Sequence, residues 1–199
     1  MERSPFSNLS RRTLLKALAA LPFAFLFTSR SRALEYTPEI LDDDDLTPEQ
    51  TEGPYFTPNS PEKKSLLEDG IKGTKLILSG QVLGADGKPV KHALVDIWHC
   101  NAQGVYDNVG YKLRGHQYTD DKGQYRFETI VPGVYIGRTR HIHVKVQAPH
   151  GRILTTQLYF PEDADLNRRD GIYSPKLLLK TAEKEKVKTG SFDFVVRTA

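Results

Sequence analysis

After residue 50 the apolar residues of this chain come in short runs cut by turn-forming residues, and that punctuation is what most restricts its fold. "KLILSGQVLGADGKPV" gives a strand over Lys75–Leu83, a turn at "ADGKP", and then a second strand in "ALVDIWHC". "YTDDKGQYRFETI" repeats the theme, with "DDKG" as a hairpin turn between short strands. "HIHVKVQAPHGRILTTQLYF" supplies two more strands around "APHGR", and "SFDFVVRT" a last one. Short strands joined by Gly, Asp and Pro turns predict an all-β fold, a β-sandwich or barrel. The polar stretch 163–188 has some helical character and is expected to be a long surface excursion.

The N-terminus reads differently. "SRRTLLK" (residues 10–16) places twin arginines ahead of an apolar run, Ala17–Phe27, which is followed by "SRSRA". That run of eleven residues is too short to cross roughly 30 Å of hydrocarbon as a helix. Its basic head, short apolar middle and Ser-x-Ala end fit a cleavable export signal over residues 1–33, as against an uncleaved anchor or an ordinary amphipathic helix. "SRRTLLK" resembles the bacterial twin-arginine signal, which implies export of a folded protein, often with its cofactor loaded, to the periplasm or beyond. Residues 34–50, with "DDDD" at 42–45, read as an acidic linker or arm, and residues 51–199 as one domain.

Setting the signal aside changes the charge argument. Residues 1–33 hold six of the 28 Lys/Arg and one of the 25 Asp/Glu, leaving 22 basic and 24 acidic residues and a net charge of −2. A nucleic-acid partner therefore has no electrostatic support, and the membrane enters only through the export signal. The single cysteine, Cys100, permits no internal disulfide and sits in an apolar strand pattern as a buried, inert thiol.

In a strand, residues i and i+2 project from one face, so His141 and His143 of "RHIHVKV" are aimed in parallel. Such a pair suits metal ligation, and equally suits two polar residues on the solvated face of an amphipathic strand. The lone Cys100 cannot complete a thiolate site, and the chain has neither a His-Glu-x-x-His pair nor an EF-hand loop. Two tyrosines do recur in similar contexts, Tyr106 in "GVY" at 104–106 and Tyr135 in "GVY" at 133–135, as ligands or as packing residues. As ligands they restrict the metal. Ionising a phenol of pKa about 10 near pH 7 costs roughly 4 kcal/mol. Two together cost about 8 kcal/mol, comparable with the stability of a whole domain. A hard trivalent cation offsets that, and Fe(III) suits two phenolates and two imidazoles where Zn(II) does not.

Five stretches, taken in order, resemble the intradiol ring-cleavage dioxygenases, the family of catechol and protocatechuate dioxygenases. They are "TEGPYF" (51–56), "LVDIWHCNAQGVYDN" (94–108), "RGHQYTDDKGQYRFETIVPGVY" (114–135), "GRTRHIHVKV" (137–146) and "TTQLYF" (155–160). The resemblance implies a β-sandwich of mostly antiparallel strands with long loops, holding non-haem Fe(III) on Tyr106, Tyr135, His141 and His143. By the family's pattern, Tyr106 and His141 are equatorial beside a hydroxide, and Tyr135 and His143 are axial. A catechol would bind as a chelating dianion while Tyr135 leaves the metal to act as a base. Attack by O2 and cleavage between the hydroxyl-bearing carbons would give a muconate-type diacid. Arg138 matches a family arginine beside the reacting ring carbon, and Gln157 a glutamine beside the pocket, each with a plain alternative as a turn arginine or a buried hydrogen-bonding amide. A homo-oligomer is compatible with the resemblance.

Trp98 is expected as core packing, His99 as a structural strand residue and Arg140 as an exposed turn arginine. His92, His116 and His150 lie at turns or strand edges. Only Ile136–Arg140 separates Tyr135 from His141, shorter than in protocatechuate enzymes, which implies a more open pocket. The competing expectations are an exported β-sandwich binding module, and a relative that holds iron and catechol without turnover.

Overall fold

A computed structural model describes residues 45–198, so the expected signal segment and most of the acidic arm lie outside the described residues. Nine strands follow in chain order among them. They are β1 (Lys75–Gly84), β2 (Leu94–Trp98), β3 (Arg114–Tyr118), β4 (Gln124–Ile130), β5 (His141–Gln147), β6 (Ile153–Tyr159), β7 (Lys180–Lys184), β8 (Val187–Ser191) and β9 (Phe194–Val196). One sheet runs β4-β1-β8-β7 with β9 also on β1, and the other runs β3-β2-β5-β6. Every pairing is antiparallel except those of β1 with β8 and β9. This is the expected all-β sandwich.

Period-two patterning builds the core. Leu76, Leu78 and Val82 of β1 and Phe127 of β4 face Val95 and Ile97 of β2 and Ile142, Val144 and Val146 of β5 in one cluster of fully buried side chains. Burying such aliphatic and aromatic side chains is worth about 1.5–3 kcal/mol each and is what holds the two layers together.

The last expected strand is two. β8 and β9 run along β1 in succession, broken at Phe192 and Asp193. Gln81 N–H donates to the Asp193 carboxylate (2.9 Å), Phe192 N–H to Ser79 C=O (3.1 Å), and the buried Tyr125 hydroxyl to Phe192 C=O (2.8 Å). Gly80 makes the break possible, because a Cβ there would stand 1.7 Å from the Phe192 carbonyl oxygen.

The polar stretch 163–188 also departs from expectation. It holds the short helix α1 (Ala164–Arg169), but it ends in an edge hairpin of β7 with β8. Lys180, Glu183 and Lys184 are exposed on β7, so no apolar alternation marks it, as befits an edge guarded by charge. The arm expected over residues 34–50 is docked from Thr47 onward. Thr47 N–H donates to Val195 C=O (3.0 Å), and Gln50 N–H to Thr155 C=O (2.8 Å).

The close approach at Gly80 generates a prediction. Gly80→Ala should lower unfolding stability by about 3 kcal/mol or more through overpacking against backbone that cannot retreat. Denaturant unfolding checks it, and an unchanged midpoint would contradict this account of the break.

Candidate metal centre

The second sheet is buried on both faces, and its outer face carries a row of residues unlike the core. Arg114 of β3, Trp98 of β2, His143 of β5 and Gln157 of β6 are direct register partners across four strands. All four are at most 3% exposed. Beside them, His141 pairs with Tyr159. Trp98 is thus buried as expected, but not in the main core. It lies 4.9 Å from His143 in a near-parallel ring stack and packs in a separate cluster with Phe56, Tyr106 and Cys100.

The loops after β2 and β4 bring the tyrosines to this row. The two "GVY" segments abut at their glycines: Gly133 N–H donates to Asn101 C=O (2.9 Å), and Gly104, at φ +80°, lies against the Val134 carbonyl. A Cβ on Gly104 would stand 2.3 Å from that carbonyl oxygen, so only glycine allows the contact. The rings of Tyr106 and Tyr135 consequently meet edge-on at 5.8 Å. Residues 51–56 cross over the same face as a strap. From it Tyr55 stacks on Tyr106 at 4.5 Å and its hydroxyl lies 2.7 Å from that of Tyr135.

Three of the four expected ligands converge on one point. The Tyr106 hydroxyl oxygen is 3.3 Å from His141 Nε2 and 3.2 Å from His143 Nε2, and the two Nε2 atoms are 3.1 Å apart. Donors about 2.1 Å from a shared cation lie about 3.0–3.4 Å apart, so the triangle fits one metal ion. Tyr135 stands beside it with its hydroxyl turned to Tyr55. His141 Nδ1–H donates to Thr139 C=O (2.7 Å), which leaves the Nε2 lone pair facing the triangle. His143 Nδ1 is buried without a hydrogen-bond partner, so its ring is oriented by the Trp98 stack. Among the described residues no three His, Cys, Asp or Glu side chains gather to hold a metal; the convergence depends on the phenols.

Burial sets the electrostatics. It pushes the Tyr106 phenol above its ordinary range, with Arg138 and Arg114 pulling the other way, so without a cation Tyr106 stays protonated. Burial also lowers His141 to about 4 and His143 well below the ordinary imidazole value, keeping both neutral as ligands require. The donor set therefore fits a hard trivalent cation, which supplies the charge these groups lack.

Arg138 is fixed beside them. Its Nε–H donates to Asp170 (2.7 Å) and its Nη2–H to the Gln157 side-chain carbonyl (2.7 Å). Burial raises the Asp170 carboxyl, but N–H groups of Thr139, Arg138 and Ile172 outweigh that and hold it below its usual range. Gln157 is fully buried, and its amide N–H donates to Thr51 C=O (2.9 Å), so it ties the strap to Arg138. Arg140, expected to be exposed, is half-buried and pairs with Asp163 at 3.1 Å. His99 is buried past the end of β2, between Cys100 C=O (2.8 Å) and the Thr129 hydroxyl (2.7 Å). Sequence reasoning gave no role to Tyr55, Arg114, Tyr159 or Asp170. Tyr55 stands in the quoted "TEGPYF" and Arg114 opens "RGHQY", but nothing local marks either as a neighbour of residues 50–80 positions away.

A family model described as Dioxygenase matches residues 51–198. The dioxygenase domain of a dioxygenase carbohydrate-binding protein fusion from Streptomyces sp. SirexAA-E superposes with a TM-score of 0.74 at 46% identity, covering 77% of this chain and 99% of that one. Catechol 1,2-dioxygenase from Acinetobacter sp. ADP1 superposes with a TM-score of 0.68 at 28% identity, covering 76% of this chain and 62% of that one. Catechol 1,2-dioxygenase 2 of Acinetobacter lwoffii is 34% identical over 158 residues, 63% of this chain and 58% of its own length. The chain spans about half the length of the curated relatives it matches.

The buried imidazoles generate a pH prediction for the metal-free protein. His99 and His141 hold protons only below about 4 when folded, against 6.5 in the unfolded chain. The unfolded state therefore binds more protons between those values, and their stabilisation, complete above pH 6.5, is lost as pH falls toward 4. Lowering pH from 7 to 5 should cost about 2 kcal/mol per histidine. The carboxyls of buried Asp96 and half-buried Asp163, pushed up by burial, act in the opposite direction as they gain protons at lower pH. Denaturant unfolding at the two pH values checks it; equal stability would contradict neutral, buried imidazoles.

Proposed function

The chain belongs to the intradiol ring-cleavage dioxygenase family, and on that premise we propose that it is a non-haem Fe(III) dioxygenase that opens a catechol-type ring between its two hydroxyl-bearing carbons. The observation that carries the reading is the triangle of Tyr106 Oη, His141 Nε2 and His143 Nε2, with Tyr135 adjoining. A ferric ion held there supplies the Lewis acidity that favours a catechol dianion and leaves its ring open to O2.

The chain's own residues do the rest. Tyr106, His141 and His143 would hold the ion from one rigid strand and one braced loop. Thr139 fixes the His141 tautomer, and the Trp98 stack fixes the His143 ring. Tyr135 would be the remaining ligand, and its oxygen, which has the Tyr55 hydroxyl as a partner at 2.7 Å, would also serve as the base that takes a proton from a catechol hydroxyl. Arg138, clamped by Asp170 and Gln157, keeps a fixed positive charge beside the imidazoles and stabilises negative charge that develops on the ring. Gln157 acts through Arg138 and the strap rather than on the substrate. With the twin-arginine-like segment ahead of it, the enzyme would be exported and meet catechols in the periplasm or outside the cell.

Protein made with iron supplied should be red-brown from ferric–tyrosinate charge transfer, hold one iron per chain, and consume O2 with catechol to form a muconate-type diacid. Tyr106→Phe should shift or bleach that colour and reduce O2 uptake by at least about 100-fold. Colourless, iron-free protein, or iron-loaded protein that yields no diacid from any catechol, would overturn the reading.

A further inference from the structure

A depression of about 310 Å³ opens against the rings of Tyr55, Tyr106 and Tyr135 and is walled by Val105, Val134 and Ile136. No residue lining it carries a charge. Three of its walls are apolar side chains left facing water, Val105 60% exposed, Val134 41% and Ile136 91%, and the neutral amide residues Gln103 and Asn108 complete the lining. The cations nearest the site are committed elsewhere. Arg138 is held by Asp170 and Gln157, Arg140 pairs with Asp163, and Arg114 is buried and donates to the carbonyls of Tyr55 and Asp107.

A catechol bound through both oxygens between Tyr106 and Tyr135 would lay its ring substituent on these walls. A carboxylate there loses hydration and meets no cation, only the neutral amides of Gln103 and Asn108. An alkyl or aryl group instead covers exposed valine and isoleucine, at roughly fourfold in affinity for each CH2 buried. The mouth also stays open past Ile136, so the far end of a bulky group remains in solvent.

We propose that this mouth selects catechols bearing a neutral, apolar ring substituent over carboxylated catechols, and that Val105, Val134 and Ile136 set the preference. The inference rests on the ferric dioxygenase reading and deepens it.

Anaerobic titration of the iron-loaded protein with 4-tert-butylcatechol and with 3,4-dihydroxybenzoate tests it, with affinities read from the shift of the charge-transfer band and from calorimetry. The alkyl compound should bind at least about tenfold more tightly, since its quaternary carbon and methyls cover apolar wall. Ile136→Lys, at a position exposed enough to keep the fold, should cut that ratio by about tenfold by supplying the missing cation. Val134→Lys should act in the same direction. If neither compound shifts the band or binds, the dioxygenase reading falls and takes this one with it. If both bind but the carboxylate binds as tightly, or neither lysine variant moves the ratio, the selectivity claim alone is overturned.

Discussion

One hydroxyl oxygen facing two buried imidazole nitrogens is the contact on which the rest of the outer face depends. The Tyr106 oxygen and the Nε2 atoms of His141 and His143 lie within 3.3 Å of each other with no carboxylate among them. Taken alone the arrangement is costly, because burial opposes charging of every member. It becomes favourable once a trivalent cation sits among the donors. On the ferric reading, the surrounding structure therefore has to hold three neutral groups in place for an ion to bind.

Several devices do that holding, and each joins elements far apart in sequence. Arg114 donates to the carbonyls of Asp107 and Tyr55, which ties the Tyr106 loop to the strap. The Asp107 carboxylate accepts N–H groups of Val109, Gly110 and Lys112 and so closes the loop that follows Tyr106. Asp170 accepts from Arg138 and from Thr139 N–H, fixing the segment that leads into β5. The strap in turn is anchored by Gln157 at Thr51 and by the Tyr111 hydroxyl at Pro58. Charge-assisted bonds to backbone suit this task, since they restrain main chain without adding a competing acid to the site.

Much of the fold was legible in the sequence, and what was missed has a physical cause. β1 alternates over part of its length, while β2, β5 and β6 are short runs bounded by turn residues and largely buried on both faces, and that punctuation marks all four as strands. β7 is an edge strand whose side chains are charged and solvated, so it carries no such pattern. The division of the last strand follows from Gly80 meeting Phe192, a contact between residues more than a hundred positions apart. At the site, the parallel aim of His141 and His143 follows from strand periodicity. The approach of Tyr106 depends on Gly104 and Gly133 allowing two loops to touch, which the repeated "GVY" hints at without fixing. Trp98 packs in a buried hydrophobic cluster as expected, but its apolar character does not say which sheet face it covers. Tyr55 and Asp170 reach the site only through the tertiary path of the strap and of the segment after α1.

The central claim is that the two phenols and two imidazoles share one ferric ion. Anomalous diffraction at the iron edge from crystals of the iron-loaded protein measures this most directly. The account predicts a single peak about 2.1 Å from Tyr106 Oη, His141 Nε2 and His143 Nε2, with Tyr135 swung off Tyr55 to become the fourth protein ligand. A peak elsewhere on the chain, or none in protein shown to contain iron, would contradict it.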